Sequence, residues 1–346
     1  MKKRFAALTK LLILSCLSCS LPAVALAKNL LTDRTDVQQF IDQVVTKHPS
    51  LNKAELEGWF KKIHINQEII NKMNHPAEAK PWHQYEKLFL TEQNIKNGAI
   101  FWKENEKLLK QAEKEYGVPP EIIVGILGVE TRYGKAMGTF PVLEALATLA
   151  FDYPKRAPLF RKELEEYLLL VKEQQFDPFA LKGSYAGAMG IPQFIPSSYR
   201  HFAVDFHTKG QKDILGNKAD AIGSVANYFK LHGWEPHEPV IVGAIPHNDK
   251  HAALPKDKKN PKPTLTVLEW IKQYDVSPYE DAPSLPINKL LTRKAALIEF
   301  EGPSGKEYWL GLNNFYVITR YNHSDHYAMA VYLLGQAVKQ KISQST

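Results

Sequence analysis

The sequence predicts a mainly helical globule with a smaller mixed segment, a mainly α (α+β) fold, on three observations. Apolar residues recur at three- and four-residue spacing through residues 33–115 and again near 119–133, 159–171 and 219–229. From about residue 234 to 312 the texture changes to short β-branched and aromatic runs punctuated by Gly and Pro. The 346 residues are 44% hydrophobic and 23% charged, which suits one large core or two modest ones and excludes disorder, collagen and coiled coil.

The first 27 residues have the pattern of an export signal. Lys2, Lys3 and Arg4 precede the apolar run Leu11-Leu12-Ile13-Leu14, and Ala25-Leu26-Ala27 forms a small-residue cleavage pattern before Lys28. The run is too short to span a bilayer comfortably. Both cysteines, Cys16 and Cys19, fall within the leader, so a chain starting at Lys28 has no disulfide, cysteine metal site or cysteine nucleophile. Leu17-Ser18-Cys19 also has the form of a weak lipoprotein site, which would acylate Cys19, and a soluble periplasmic product and an outer-membrane lipoprotein are the two expectations.

Helical stripes follow in Val37-Phe40-Ile41-Val44-Val45 and in Phe101-Leu108-Leu109-Ala112. Pro119 and Pro120 suit a first helical turn, Glu121 favours the N-terminus, Ile122, Ile123, Ile126, Leu127 and Val129 carry the apolar pattern, and Gly134 is the expected stop. Two more helices are expected near 159–171 and 219–229. Val240-Ile241-Val242 and Ala296-Leu297-Ile298-Glu299-Phe300 read as strands, and Gly302-Pro303-Ser304-Gly305 as a turn before Tyr308-Trp309-Leu310. The Lys- and Pro-rich stretch 247–263 reads as a solvated loop. A last helix, capped by Ser324 or Asn322, carries Tyr327, Val331 and Leu334 inward.

The 44 Lys and Arg against 37 Asp and Glu give a formal charge of +7, but Lys2, Lys3, Arg4 and Lys10 lie in the leader. Without them the excess is three, which gives no clustered basic face and no nucleic-acid partner.

Chemistry is expected where a helix breaks its own pattern. Glu130 follows Ile123, Ile126 and Leu127 by seven, four and three residues, so its carboxylate falls on an apolar face. Desolvation there raises a carboxyl pKa and suits general-acid work, and pairing with Arg132 at a core edge is the structural alternative. A second segment, 182–199, combines Gly183, Gly187 and Gly190 with Ser184, Gln193 and Ser198. Small residues there admit either a bulky ligand or tight packing, and the polar ones can bond sugar hydroxyl and acetamido groups. The segment is not a phosphate-cradling loop. A third, Arg320-Tyr321-Asn322-His323-Ser324-Asp325-His326-Tyr327, offers a carbohydrate platform. His323 and His326 lack a further ligand set, so capping and packing outweigh metal binding.

These segments together resemble the lytic murein transglycosylase B family. The likeness rests on Gly128-Val129-Glu130-Thr131-Arg132-Tyr133-Gly134, on the run 183–199, on Ala221-Ile222-Gly223-Ser224-Val225-Ala226-Asn227-Tyr228-Phe229, and on Asn314-Phe315-Tyr316 through Tyr327. It covers nearly the whole chain after the leader. It implies a lysozyme-like helical core at 111–233, a second helical domain from both chain ends (28–110 plus 315–346), and a small mixed domain at 234–314.

The resemblance makes Glu130 the single catalytic acid/base. It makes Ser184, Gln193, Tyr228, Tyr321, Asn322 and Tyr327 cleft residues that orient glycan or the catalytic carboxylate, and Tyr85 and Arg156 contacts to sugar or stem peptide, with Lys155 beside Arg156 and Ser198 of the run 183–199 as further substrate-binding residues. Lys155 stands where the family more often has Arg, which keeps charge but loses bidentate geometry. The implied partners are peptidoglycan glycan strands with their stem peptides, and association with other cell-wall enzymes is compatible with this. No cofactor is implied. Relatives can carry a calcium loop at the place of residues 205–216, but Lys209, Lys212 and Gly216 spoil the oxygen set, so no calcium is expected. The implied reaction is non-hydrolytic cleavage to 1,6-anhydromuramoyl ends. A second catalytic carboxylate, with Asp152 and Glu144 as the nearest candidates, would instead make a lysozyme-type hydrolase, and the remaining alternative is a wall-binding protein without activity.

Overall fold

A computed structural model describes residues 31–75, 80–206, 210–253, 261–279 and 285–344. The leader with Cys16 and Cys19, and Lys209, lie outside them. Among the described residues no helix is long and apolar enough to cross a membrane.

The central helix is preceded, among the described residues, by α1 (Thr35–Lys47), α2 (Lys53–Phe60), α3 (Gln67–Met73), α4 (Trp82–Tyr85), α5 (Glu92–Glu104) and α6 (Glu106–Tyr116). The stripe expected on α1 is the face it buries, with Val37, Phe40, Ile41 and Val44 inward. Helix α6 ends at Gly117 in the left-handed conformation, which turns the chain into α7 (Pro120–Thr131). The expected stop at Gly134 falls three residues late. Arg132, Tyr133 and Gly134 are all left-handed, at φ 50°, 63° and 88°, so the helix has already broken. The Gly134 N–H is taken by the Thr131 hydroxyl at 2.9 Å.

Next come β1 (Phe140–Pro141), α8 (Val142–Asp152), α9 (Ala157–Gln174), β2 (Lys182–Gly183), α10 (Pro196–Phe202) and α11 (Lys218–Leu231). Helix α8 escapes the periodicity argument because it is apolar nearly all round. Every residue from Ala145 to Phe151 is buried, so no polar face marks a stripe.

The segment of different texture is a five-stranded antiparallel sheet of β3 (Ile241–Pro246), β4 (Leu265–Thr266), β5 (Val276–Pro278), β6 (Lys294–Gly302) and β7 (Gly305–Gly311), in the order β4-β6-β7-β3-β5. Helices α12 (Val267–Tyr274) and α13 (Ile287–Leu290) lie among these strands in the chain. Strand alternation gives the sheet two apolar faces. Ala295 and Leu297 of β6 join Trp270 of α12 in a small core, while Ala296, Ile298 and Phe300 join the main helical core. Phe300 meets Trp82 of α4 with ring centroids 5.1 Å apart, which docks the sheet beside the chain's N-terminal helices.

Helices α14 (Asn313–Tyr321) and α15 (Asp325–Ser343) close the chain. Of the two caps expected for the last helix, Ser324 is the one that forms, its hydroxyl accepting from the Tyr327 N–H at 3.2 Å. Helix α15 lies directly against α7. A Cβ on Gly335 would stand 2.1 Å from the Glu121 carbonyl oxygen, and one on Gly125 would stand 2.3 Å from that of Val331. The two glycines therefore set how closely the helices approach.

Candidate active site

The antiparallel contact of α7 and α15 brings Glu130, in the last turn of one, to Tyr327, in the first turn of the other. The Tyr327 hydroxyl donates to Glu130 Oε1 at 2.5 Å. Tyr327 is 2% exposed while Glu130 is only half-buried, so the carboxylate keeps an approach from solvent. Arg132, the partner considered for Glu130, is exposed beyond the break in the helix.

An aromatic wall continues from there. The rings of Tyr321 and Tyr327 stack with centroids 6.3 Å apart, and Tyr228 lies 4.8 Å from Tyr321. Each of the other two hydroxyls has a set partner: Tyr228 donates to the Arg320 carbonyl at 2.7 Å and Tyr321 to that of Pro192 at 2.5 Å. Burial, and then the negative charge of Glu130, push the Tyr321 and Tyr327 phenols well above their ordinary value, and burial raises Tyr228 as well. All three remain hydrogen-bond donors throughout the physiological range.

The Gly-rich segment packs against this wall, with Phe194 5.8 Å from the rings of both Tyr228 and Tyr321. Strand β2 pairs with β1, and bridges Gly183 to Met189 and Met189 to Phe194 fold the segment back on itself. Packing, the alternative held open for the small residues, accounts for Gly190: it is left-handed at φ 71°, and a Cβ would stand 2.4 Å from the Ile214 carbonyl oxygen. The Ser184 hydroxyl oxygen accepts from the Ala186 and Ala188 N–H groups at 3.2 and 3.1 Å, so what it has left to offer is its hydrogen. Gln193 gives its amide nitrogen to the carbonyls of Met137 and Gly190 at 3.1 and 2.9 Å. Two carbonyl partners fix the NH₂ end, so Oε1 remains as an acceptor.

The other expected residues are spread more widely. Asn322 is half-buried at the corner between α14 and α15, and its carbonyl accepts from the Ser324 N–H at 2.7 Å. Tyr85 is 1% exposed, packed against Trp82, Phe89 and His326, with no open face for a sugar. Lys155 and Arg156 are exposed on a short turn. Arg156 is near enough, with Arg320, to lower the His323 pKa, though burial is the larger cause. Ser198 is half-buried on α10 and takes no part in the hydrogen bonds around Glu130. Its neighbour Ser197 donates through backbone and hydroxyl to Glu163 at 3.0 and 2.8 Å, so a buried acid of α9 caps α10.

His326 is an aromatic packing residue against Trp82, Tyr85 and Phe300. Among the described residues no group of three His, Cys, Asp or Glu side chains is placed to hold a metal ion. In the segment at the place of a calcium loop, the carboxylates face backbone. Asp213 Oδ1 accepts from the Leu215 and Gly216 N–H groups at 2.9 Å, and Asp220 accepts from those of Phe206 and Asp213 at 2.9 and 2.8 Å. Lys212 and Gly216 supply no carboxylate oxygen to this segment, so no calcium is expected there. Thermal melts with excess calcium and with chelator should therefore share one midpoint, and a clear rise with calcium would refute this.

The two acids weighed as a second catalytic group are engaged elsewhere. Asp152 is ion-paired with Arg34, and Glu144 accepts from the Asn66 amide at 2.9 Å.

Residues 32–336 match the Transglycosylase SLT domain family. The chain is 45% identical over 314 residues to membrane-bound lytic murein transglycosylase B of Escherichia coli K12, covering 88% of this chain and 82% of that protein. The structure of catenated lytic transglycosylase SltB1 from Pseudomonas aeruginosa superposes with a TM-score of 0.81 at 43% identity, covering 89% of this chain and 98% of that one. SltB3 of the same organism, in complex with NAG-anhNAM-pentapeptide, gives 0.72 at 28% identity over 88% and 79% of the two chains. The helical architecture with its small sheet is shared with these structures, and the chain belongs to the lytic murein transglycosylase B family.

Proposed function

We propose that this protein cleaves the β-1,4 bond between N-acetylmuramic acid and N-acetylglucosamine of peptidoglycan without water, with Glu130 as its single acid/base. The observation that carries the reading is the Glu130 carboxylate held by the Tyr327 hydroxyl at 2.5 Å, with Asp152 and Glu144 committed to other partners. Glu130 gives its proton to the glycosidic oxygen as the bond to muramoyl C1 breaks. The charge left at C1 is quenched by the sugar's own C6 hydroxyl. The proton of that hydroxyl passes to the Glu130 carboxylate, which restores the acid and leaves a 1,6-anhydro ring. Hydrolytic glycosidases place a second carboxylate about 5 to 5.5 Å or about 6.5 to 9.5 Å from the first, and the two acids weighed for that role are bonded to Arg34 and to the Asn66 amide.

Ser184 supplies a donor and Gln193 an acceptor for the sugar's hydroxyl and acetamido groups, and Asn322 adds both. The rings of Tyr228, Tyr321 and Tyr327 keep water from C1. Tyr85 packs with Trp82, Phe89 and His326 beneath the start of α15, Arg156 and Lys155 meet the acidic stem peptide, and Ser198 offers its hydroxyl to the glycan. Residues 111–233 form the catalytic core, 28–110 with 315–346 the flanking helical domain, and 234–314 the small mixed domain. The protein works in the cell envelope, either free in the periplasm after cleavage at Ala27 or anchored through Cys19.

Digesting purified peptidoglycan and weighing the products tests the reading. Anhydro ends support it, whereas reducing ends or intact strands overturn it. Within that assay, Ser184→Ala and Asn322→Ala should each reduce turnover roughly ten- to a hundredfold, with little change in KM. Normal turnover in both variants would sink these assignments.

A further inference from the structure

Thr131 directly follows Glu130 and is fully buried. Its hydroxyl donates to the Ile191 carbonyl at 2.7 Å, across 60 residues of sequence, and accepts from the Gly134 N–H at 2.9 Å. The next carbonyl, that of Pro192, accepts from the Tyr321 hydroxyl at 2.5 Å. The Ile191 N–H donates to the Ile214 carbonyl at 2.9 Å. Gln193, one residue further, is held left-handed at φ 52° with its amide nitrogen tied to Met137 and Gly190. Residues 191–193 are therefore a strap gripped by the end of α7 on one side and by the α14–α15 corner on the other.

We infer that Thr131 is a positioning residue, which fixes the Glu130 carboxylate relative to the Gln193 acceptor by tying α7 to this strap. The inference rests on the functional reading above and adds what sets its geometry. Two physical points support it. Ile191 is 4% exposed and Pro192 is buried, so each carbonyl needs a donor within the protein, and the pair that supplies them comes from the two segments carrying Glu130 and Tyr327. Arg132 and Tyr133 occupy left-handed backbone that non-glycine residues hold only when their surroundings dictate it, and the Thr131 hydroxyl closes that turn. Without it, Glu130 sits one residue from a turn that has lost a bond at each end. A displacement of about 1 Å at an acid/base is enough to cost on the order of a hundredfold in rate.

Thr131→Val keeps the shape and removes the hydroxyl, while Thr131→Ser keeps the hydroxyl. Release of anhydromuropeptides from purified peptidoglycan, measured well below the melting temperature of each variant, should fall roughly ten- to a hundredfold in turnover for Val with KM nearly unchanged. Ser should restore most of it. Combining Thr131→Val with Tyr321→Phe should cost less than the product of the two single losses, because both act on one strap. Wild-type turnover in folded Thr131→Val, or a Ser variant as impaired as Val, overturns the inference. Should Val fail to fold, Tyr321→Phe alone makes the same test at the Pro192 carbonyl, and unchanged turnover there overturns the strap. Glu130→Gln in the same assay separates the two levels: activity surviving in it defeats the functional reading, while an inactive Glu130→Gln beside a normal Thr131→Val defeats only this inference.

Discussion

Glu130→Gln should lower anhydromuropeptide release by at least about a thousandfold while leaving the thermal midpoint close to that of the parent. The amide has the size of the acid and can still accept the Tyr327 hydroxyl hydrogen bond, so the α7–α15 contact loses little. What it cannot do is give a proton to the glycosidic oxygen and take one back from the C6 hydroxyl. A neutral amide of the same shape adds no charge to a half-buried position, so stability should stay close to that of the parent. A folded Glu130→Gln protein that still releases anhydro products would remove Glu130 from the mechanism. Loss of activity accompanied by a large fall in midpoint would instead assign the residue a structural role. The melt and the product assay on one preparation decide between these.

Glu130 is legible in the sequence because its signal is local. A single acid on an apolar helical face stands out within one turn, and the structure puts it half-buried in the last turn of α7, beside Tyr327. Its partner is not legible that way. Tyr327 lies 197 residues away, and no periodicity in either helix encodes that pairing. Only the family resemblance points Tyr327 to the cleft, and the hydrogen bond itself is a product of α15 packing on α7. Thr131 lies inside the family motif yet carries no signal of its own, because a threonine near a helix end commonly bonds its own turn. Its contact with Ile191 depends on how the Gly-rich segment folds back. Helix α8 is hidden for the opposite reason, too much apolar character, since a helix buried on nearly every side has no stripe to read. Composition marks the sheet, but its order places β7 between β6 and β3, a matter of long-range pairing that composition does not determine.

The α7–α15 crossing should be the most sensitive place to add a single methyl group. Along the two antiparallel helices, Glu121 meets Gly335, Gly125 meets Val331, and Glu130 meets Tyr327, so the Glu130–Tyr327 contact is the far end of one continuous interface. In Gly335→Ala the new Cβ would stand 2.1 Å from the Glu121 carbonyl oxygen, well inside contact distance, and the obstacle is backbone that cannot rotate away. Alanine is the better helix former by about 1 kcal/mol, which offsets part of the penalty. Overpacking of this kind costs roughly 1 to 3 kcal/mol, and a clash with a carbonyl belongs at the upper end, so the net effect is destabilising. Relief requires the helices to separate or pivot, and either motion stretches the Tyr327 to Glu130 hydrogen bond, which is about 12 Å along α15 from Gly335. Gly335→Ala should therefore lower both the melting midpoint, by a few degrees, and turnover, by roughly tenfold even at temperatures where the variant is fully folded. Gly58 of α2, where a Cβ would meet nothing within 4 Å, is the control: Gly58→Ala should leave activity unchanged and raise the midpoint slightly. A Gly335→Ala protein as stable and as active as its parent would mean that the two helices do not pack at this distance, and the geometry that aims Tyr327 at Glu130 would have to be sought elsewhere.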